Sequence, residues 1–368
     1  MCSGTKRWHS HLQNKKTANY KITKNRSGFD SLHLDSHFEH TFPLNLLPCR
    51  PVRSLFRCST YTYIQATTHL HKCKMASHVQ HPKLPFSEFF SKFANIYVRQ
   101  TGHATLDILA DVITENIQTS AHPIGPDSVV HDTAAGPGIG AAAIITSVAK
   151  EQFPKEILVS DNVPMMVSAA RDSLIGSTSA SASASASASE LPHVECKELD
   201  SQDLSSIPDN YFTHSINNFS IFTFSRPVDA IRESCRTLRP GGFAVVTCWR
   251  RFAPMFIVHA AQKKIRPDLP LMATPGPEFF EEGVLEKVVR EGGFTETTLV
   301  EKVLVVADED NIAGLTMLMS GPMMSKAREG YTDEDRARWA EAVGQSVKEE
   351  VDQFGGIRFE AYVLLAIK

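Results

Sequence analysis

Residues 129–144, VVHDTAAGPGIGAAAI, constrain this chain more than any other stretch. Apolar residues run into Asp132, a glycine-rich turn comes next, and an alanine-rich segment opens behind it. That order predicts a strand, a tight turn and a helix N-terminus, a geometry that turns bare backbone N–H groups toward a ligand. Gly136, Gly138 and Gly140 carry no Cβ, so the turn can adopt positive φ and a ligand can approach the main chain closely. A similar turn also serves dinucleotide-binding folds and plain strand-to-helix connections, so its meaning depends on the segments downstream of it.

Those segments alternate. Strands are predicted over 156–160, 194–198, 213–217 and 242–249, with a helix starting at Pro164 and another over 227–238 whose Val228, Ile231, Cys235 and Leu238 form one stripe. Strands alternating with helices predict a parallel α/β sheet. Further on, helices are expected over 254–264, 282–291, 312–319 and 333–352, with strands over 297–306 and 358–367. Two late strands separated by a helical insert predict an antiparallel edge on the parallel sheet. Upstream, Phe86, Phe89, Phe90, Phe93 and Tyr97 recur at helical spacing, and a second helix is expected over 105–117. Residues 177–190 form a Ser-Ala tract with no apolar face, which predicts a loop that interrupts the fold.

Charge divides the chain. Residues 1–74 carry 12 Lys and Arg against 3 acids, whereas 75–368 carry 26 against 38. The basic part shows neither helical nor strand periodicity and cannot build a core, so residues 1–84 read as a disordered extension ahead of a working domain at 85–368. Met75 opens the change of composition, and a start site placed there is one expectation. A mitochondrial presequence is the other; Asp30, Asp35, Glu39 and the length of the segment oppose it. The acidic body offers no electrostatic reason for a nucleic-acid partner, and no apolar run reaches the roughly 18 residues of a membrane span. Seven cysteines without a CxxC pair predict free thiols and a reducing, cytoplasmic setting. His69, His71 and Cys73 lack the second half of a ligand set, so no metal is expected. Nothing in the sequence sets an oligomeric state.

The residues able to do chemistry sit where strands end. Asp161 closes the second strand, where an α/β sheet presents ligands, and its carboxylate can accept two hydrogen bonds from a ribose diol; a helix N-cap is its ordinary role. After the third strand, ELDSQDL crowds Asp200 and Asp203 into a short loop, either a solvated acidic turn or a receptor for an exocyclic amine. LRPGG at 238–242 then closes a helix before an apolar strand.

HDTAAGPGIG, VSDNVPMMVSAAR, ELDSQDLSSIPDNYF, RESCRTLRPGG and VVTCW, in this order and at these intervals, resemble the successive motifs of class I S-adenosylmethionine-dependent methyltransferases. The similarity is to the ubiquinone-biosynthesis type and to fungal enzymes that methylate small molecules of secondary metabolism. It implies a Rossmann-like, mostly parallel seven-stranded sheet with an antiparallel edge strand, helices on both faces and helical lid elements at 250–280 and 308–352. It also implies S-adenosylmethionine as cofactor. Asp132 with Ala134, Ala135, Gly136 and Gly138 would hold its methionine portion. Asp161, with Asn162 beside it, would bind the ribose hydroxyls, and Asp200 with Ser201 would flank the adenine. Asn218 and Phe219 would face the sulfonium. Ala134 and Ala135 stand where the family often has glycine or cysteine, and Gln202 where an acid is common.

Methyl transfer from a sulfonium is an in-line displacement, for which the enzyme chiefly supplies alignment and a dry pocket. His259 is the candidate base, with packing as its ordinary role. Phe90, Tyr97, His103, Trp249, Met255 and Phe256, with the methionines of 317–324, are the candidate walls for a small, flat, apolar acceptor such as a polyketide, quinone precursor or peptide-derived metabolite. Three alternatives stand beside this reading: an interaction protein that has kept the fold and lost turnover, a protein methyltransferase, and a nicotinamide-dependent dehydrogenase. The last shares the GxGxxA turn but explains neither the carboxylate four residues before the first glycine nor ELDSQDL with LRPGG.

Overall fold

The computed structural model describes residues 102–175 and 191–368. The basic extension, the stripe containing Phe90 and Tyr97, and the Ser-Ala tract lie outside the described residues.

The strands are β1 (Val129–Thr133), β2 (Glu156–Asp161), β3 (His193–Glu198), β4 (Phe212–Asn217), β5 (Leu238–Arg251), β6 (Glu296–Val306) and β7 (Ile357–Ile367). They form one seven-stranded sheet in the order β3-β2-β1-β4-β5-β7-β6. β1 to β5 pair in parallel, and β7 runs antiparallel to both β5 and β6. The antiparallel element therefore lies one place in from the rim, with β6 outside it. The order reverses around β1 and β4, so their carboxyl ends open a crevice, the place where open α/β sheets bind ligands.

The central strands are nearly continuous apolar runs because helices cover both faces. On one face, Val130, Ile157, Val159, Ile216, Phe243 and Val245 pack with residues of α1 (Gly102–Val112), α2 (Ile139–Ser147) and α3 (Pro164–Leu174). The alternate residues Val129, Leu158, Phe212, Ala244 and Val246 pack with α4 (Pro227–Thr237) and α6 (Val284–Glu291). β5 extends back through the LRPGG bend to Leu238, where Lys368 pins it: its Nζ donates to the Leu238 carbonyl at 2.7 Å and its N–H to Gly242 at 3.0 Å.

A third core joins the carboxyl end of β5 and the first residues of β7 to α5 (Ala253–Ile265), α7 (Glu309–Ser320) and α9 (Trp339–Phe354). The helix expected over 333–352 breaks at Arg338 into α8 (Asp333–Ala337) and α9. Thr332 and Asp335 form a capping box that starts α8, and Trp339 then enters the core, where its Nε1 donates to the Met319 carbonyl at 3.2 Å. Among the described residues no helix is long and apolar enough to cross a membrane.

Arg251, at the end of β5, locks this cap to the sheet. Its guanidinium donates to both oxygens of buried Glu350 at 2.7 Å and to the carbonyl of Arg358. Removing one partner of such a pair leaves a charge without compensation. Glu350→Ala is expected to lower the unfolding free energy by about 3 kcal/mol in denaturant titrations. A change below about 0.5 kcal/mol, the range of ordinary surface substitutions, would show that the pair is dispensable.

Candidate active site

α2 begins without a side-chain cap of its own; its N-cap residue is Gly138, at φ 86°. Asp132, nine positions before Ala141, supplies the acceptor. Its Oδ2 takes the Ala141 N–H at 2.8 Å, satisfying one of the orphan donors of a helix start. Gly140 is required here for space, since a Cβ would lie 2.3 Å from Asp132 Oδ1. Gly138 is required for both reasons, because its Cβ would also meet Leu174 Cδ1 at 2.6 Å. Asp132 is fully buried and Oδ1 has no hydrogen-bond partner among the described residues; burial raises its pKa to about 7, against the pull of the Ala141 and Gly140 amides.

The turn itself is left-handed at Ala134 (φ 49°) and Gly136 (φ 56°). Asp161 fastens it to β2: Oδ2 accepts the Gly136 N–H at 2.8 Å and Oδ1 the Val163 N–H at 2.9 Å. Burial raises the pKa of Asp161, and these amide bonds oppose the rise. Beyond β3, the Asp200 carboxylate accepts the Gln202 N–H at 2.9 Å, and Ser201 Oγ bonds to Thr133 Oγ1 at 2.6 Å. The rest of this loop is held from α4, where Glu233 accepts the Leu204 N–H and Arg236 donates to the carbonyls of Leu204 and Ile207.

Past β4, Phe219 has φ 52°, an unfavourable conformation for a bulky residue. Two contacts hold it there. Thr247 Oγ1 accepts its N–H at 2.8 Å, and its ring stacks on Trp249 at 3.9 Å between centroids. The same Thr247 hydroxyl donates to Asn218 Oδ1 at 3.0 Å, and Asn218 Nδ2 reaches the Thr105 carbonyl of α1 at 3.4 Å.

These loops enclose a cleft of about 320 Å³ at the carboxyl edge of the sheet. Ala134, Ala135, Gly136, Asp161, Asn162, Asp200, Ser201, Asn218 and Phe219 all line it. Asp132 and Gly138 do not: they sit behind the turn and support it. The expected base and the acceptor-wall residues that are described, His103, Trp249, Met255 and Phe256, are placed elsewhere. His259 Nε2 bonds to the Met272 carbonyl at 2.8 Å, outside the cleft lining. Trp249 is buried in the cap core under the Phe219, Phe252 and Phe359 rings, and Met255 is buried on α5, outside the cleft lining. Phe256 lies on the outer side of α5 under the Arg251 guanidinium. His103 lines a separate depression of about 200 Å³ beside the end of β6. Residues absent from the sequence reading complete the cleft, among them Thr105, Met166, Ser220 and Phe224. Ser220 is the notable one, with a buried Oγ that has no hydrogen-bond partner among the described residues.

A family model described as "Methyltransferase domain" matches residues 134–246, the span that carries all four cleft-forming loops. Residues 134–246 are thus similar to this methyltransferase family. The methyltransferase ucsB of Acremonium sp is 26% identical over 165 residues, 45% of this chain and 52% of that protein, so the chain spans about half the length of this curated relative. Among solved structures, phosphoethanolamine N-methyltransferase 2 of Haemonchus contortus, in complex with phosphomonomethylethanolamine and S-adenosylhomocysteine, is 11% identical. The match covers 77% of this chain and 60% of that one, with a TM-score of 0.43. A SAM-dependent methyltransferase of Aquifex aeolicus is 14% identical over 61% of this chain and 94% of its own, with a TM-score of 0.37.

S-adenosylmethionine is the cofactor that the resemblance of the sequence motifs implies, and the donor set suits it. Two carboxylates face a left-handed glycine turn, and a Cβ built on Gly136 would meet nothing within 4 Å, so the turn's backbone is open to the cleft. The cleft volume lies at the lower end of the 300–1,000 Å³ typical of small-molecule sites.

Two consequences can be measured. Asp132 has a folded pKa near 7 and an unfolded value near 4, so its contribution to stability is complete below about pH 4 and is lost as pH rises through 7. The stability of wild type relative to Asp132→Asn, which does not titrate, is therefore expected to fall between pH 4 and 7, by up to about 4 kcal/mol. A difference that stays constant with pH would contradict this assignment. Ala134→Gly relieves the left-handed alanine and is expected to stabilise the fold by roughly 0.5–1 kcal/mol, read as a raised melting temperature.

Proposed function

We propose that this chain transfers the methyl group of S-adenosylmethionine to a small, largely apolar acceptor in secondary metabolism. The observation that carries the reading is that the loops after β1, β2, β3 and β4 line one cleft, with Asp161 and Asp200 on it together with Gly136. In this reading the backbone of the Ala134–Gly136 turn and Asn218 hold the methionine portion, Asp161 accepts from the ribose hydroxyls, and Asp200 and Ser201 border the adenine. Asp161 can do so while bonded to Gly136 and Val163, because each carboxylate oxygen has a second acceptor direction. The cofactor supplies an electrophilic methyl on a cationic sulfur. The protein's part is to align an acceptor with it and to exclude water.

Among the described residues that line the cleft there is no histidine, lysine or tyrosine, and His259 is engaged by Met272. The transfer then relies on alignment, and the acceptor nucleophile is one that sheds its proton readily. Phe219, Phe224 and Met166 give the cleft apolar surface for a flat molecule. The catalytic unit spans 85–368 with 250–280 and 308–352 as its cap, and the buried free thiols Cys196 and Cys248 support a cytoplasmic setting.

Calorimetric titration with S-adenosylhomocysteine is expected to saturate one site, and Asp161→Ala to weaken it at least tenfold, about 1.4 kcal/mol. Unchanged affinity in the variant would remove Asp161 from the site. Incubation with methyl-labelled cofactor and a metabolite extract should place label in the small-molecule fraction. Label in polypeptide would point to a protein acceptor, and tight cofactor binding without any product to an interaction protein.

A further inference from the structure

A serine just before a helical turn ordinarily caps it, its hydroxyl accepting an N–H of that turn. Ser220 precedes the turn Ile221–Thr223 and makes no such bond. Its backbone is fixed all the same. The Ser220 carbonyl accepts the Thr223 N–H at 2.8 Å and the Thr223 hydroxyl at 2.7 Å, and Thr247 holds the N–H of Phe219 before it. The residue is 8% exposed and lines the cleft, yet its Oγ has no hydrogen-bond partner among the described residues. Neighbouring cleft hydroxyls are committed: Ser201 to Thr133, Thr223 to the Ser220 carbonyl and Ser225 to Gln202. A desolvated hydroxyl without a partner is destabilising, so its place in the cleft calls for a partner that arrives from outside the protein.

We propose that Ser220 selects the acceptor: its hydroxyl donates to the nucleophilic oxygen of a phenol or enol seated on the Phe219 and Phe224 side of the cleft. This rests on the reading of the cleft as the S-adenosylmethionine site. No hydrogen bond opposes a turn of the Ser220 side chain between staggered χ1 positions, and that turn presents Oγ to the ligand. With no histidine, lysine or tyrosine among the described residues of the lining, the acceptor gives its proton to solvent before it binds. An oxygen without its proton can only accept, so it needs a donor facing it. One of its lone pairs takes the Ser220 hydrogen while another meets the methyl carbon. The carbon–oxygen bond forms as the sulfur–methyl bond breaks, the electron pair of the broken bond stays on sulfur, and a neutral ether and a neutral sulfide result. A hydrogen bond to a charged oxygen is roughly twice as strong as one between neutral groups, which separates such an acceptor from an apolar molecule of the same shape.

The test is equilibrium dialysis of para-nitrophenol, para-nitroaniline and nitrobenzene against the full chain saturated with S-adenosylhomocysteine, for wild type, Ser220→Ala and Ser220→Cys, with thermal melts alongside. Wild type is expected to bind para-nitrophenol about tenfold more tightly than the other two probes. Ser220→Ala is expected to bind all three alike, to keep its affinity for S-adenosylhomocysteine, and to melt no lower than wild type, because no hydrogen bond within the protein is lost. Ser220→Cys, a weaker donor, should fall between them. A preference for para-nitrophenol that persists in Ser220→Ala would overturn the proposal, as would a Ser220-dependent preference for para-nitroaniline. A melting temperature of Ser220→Ala well below wild type would overturn it too, since the hydroxyl would then be satisfied inside the fold by an ordered water. Wild type that takes S-adenosylhomocysteine and none of the three probes would sink the proposal and leave the cofactor reading standing. Wild type that does not bind S-adenosylhomocysteine would refute that reading, and this assignment with it.

Discussion

The site depends on a carboxylate kept out of water. Asp132 ends β1 fully buried, and the start of α2 takes its hydrogen-bond acceptor from it. Burying a carboxylate is costly unless donors compensate, and here the amides of a helix N-terminus do so in part. The bond also sets where the helix begins. With Asp132 beneath Ala141, the chain between β1 and α2 must turn sharply, and it does so through left-handed residues at 134, 136 and 138. Asp161 then binds the turn from the neighbouring strand at Gly136. Two carboxylates on adjacent strands thus hold the same glycine-rich loop, one from below and one from the cleft.

The other wall is built on strain and its compensation. Phe219 holds a left-handed backbone only because Thr247 and Trp249, both on β5, engage its N–H and its ring. Trp249 also contacts Phe252 and Phe359, so the aromatic cluster runs from the cleft into the cap. β7 takes part because it enters the sheet antiparallel beside β5, which puts its first residues at the carboxyl edge. Sheet edge, cap and ligand cleft therefore share one packed core, and packing of this density transmits displacements rather than absorbing them.

The features legible in the sequence were those with short-range causes. Alternating strand and helix patterns identified the sheet, and the residues bounding Gly136, Asp161, Asp200 and Asn218 fell on one cleft because each comes directly after a strand. An apolar pattern says that a side chain is buried without saying what covers it, which is why Trp249 and Met255 read as acceptor walls when Trp249 belongs to the cap core and Met255 is buried outside the cleft lining. His259 read as a base for the same reason: its partner, the Met272 carbonyl, lies in a loop with no periodic pattern. Thr105 and Ser220 carried no signal, since a lone hydroxyl beside apolar residues is common in any helix or loop.

By itself the sequence determined the order of strands and turns, the positions where only glycine serves, and the acids at strand ends. These arise from local sterics and from side-chain periods that act over a few residues. The tertiary structure alone decided that Asp132 supports the turn from behind, that Gln202 reaches the Arg226 wall, and that the expected base lies outside the cleft. Each of these is a hydrogen bond between residues 9 to 24 positions apart, and such partners are chosen by how the layers pack.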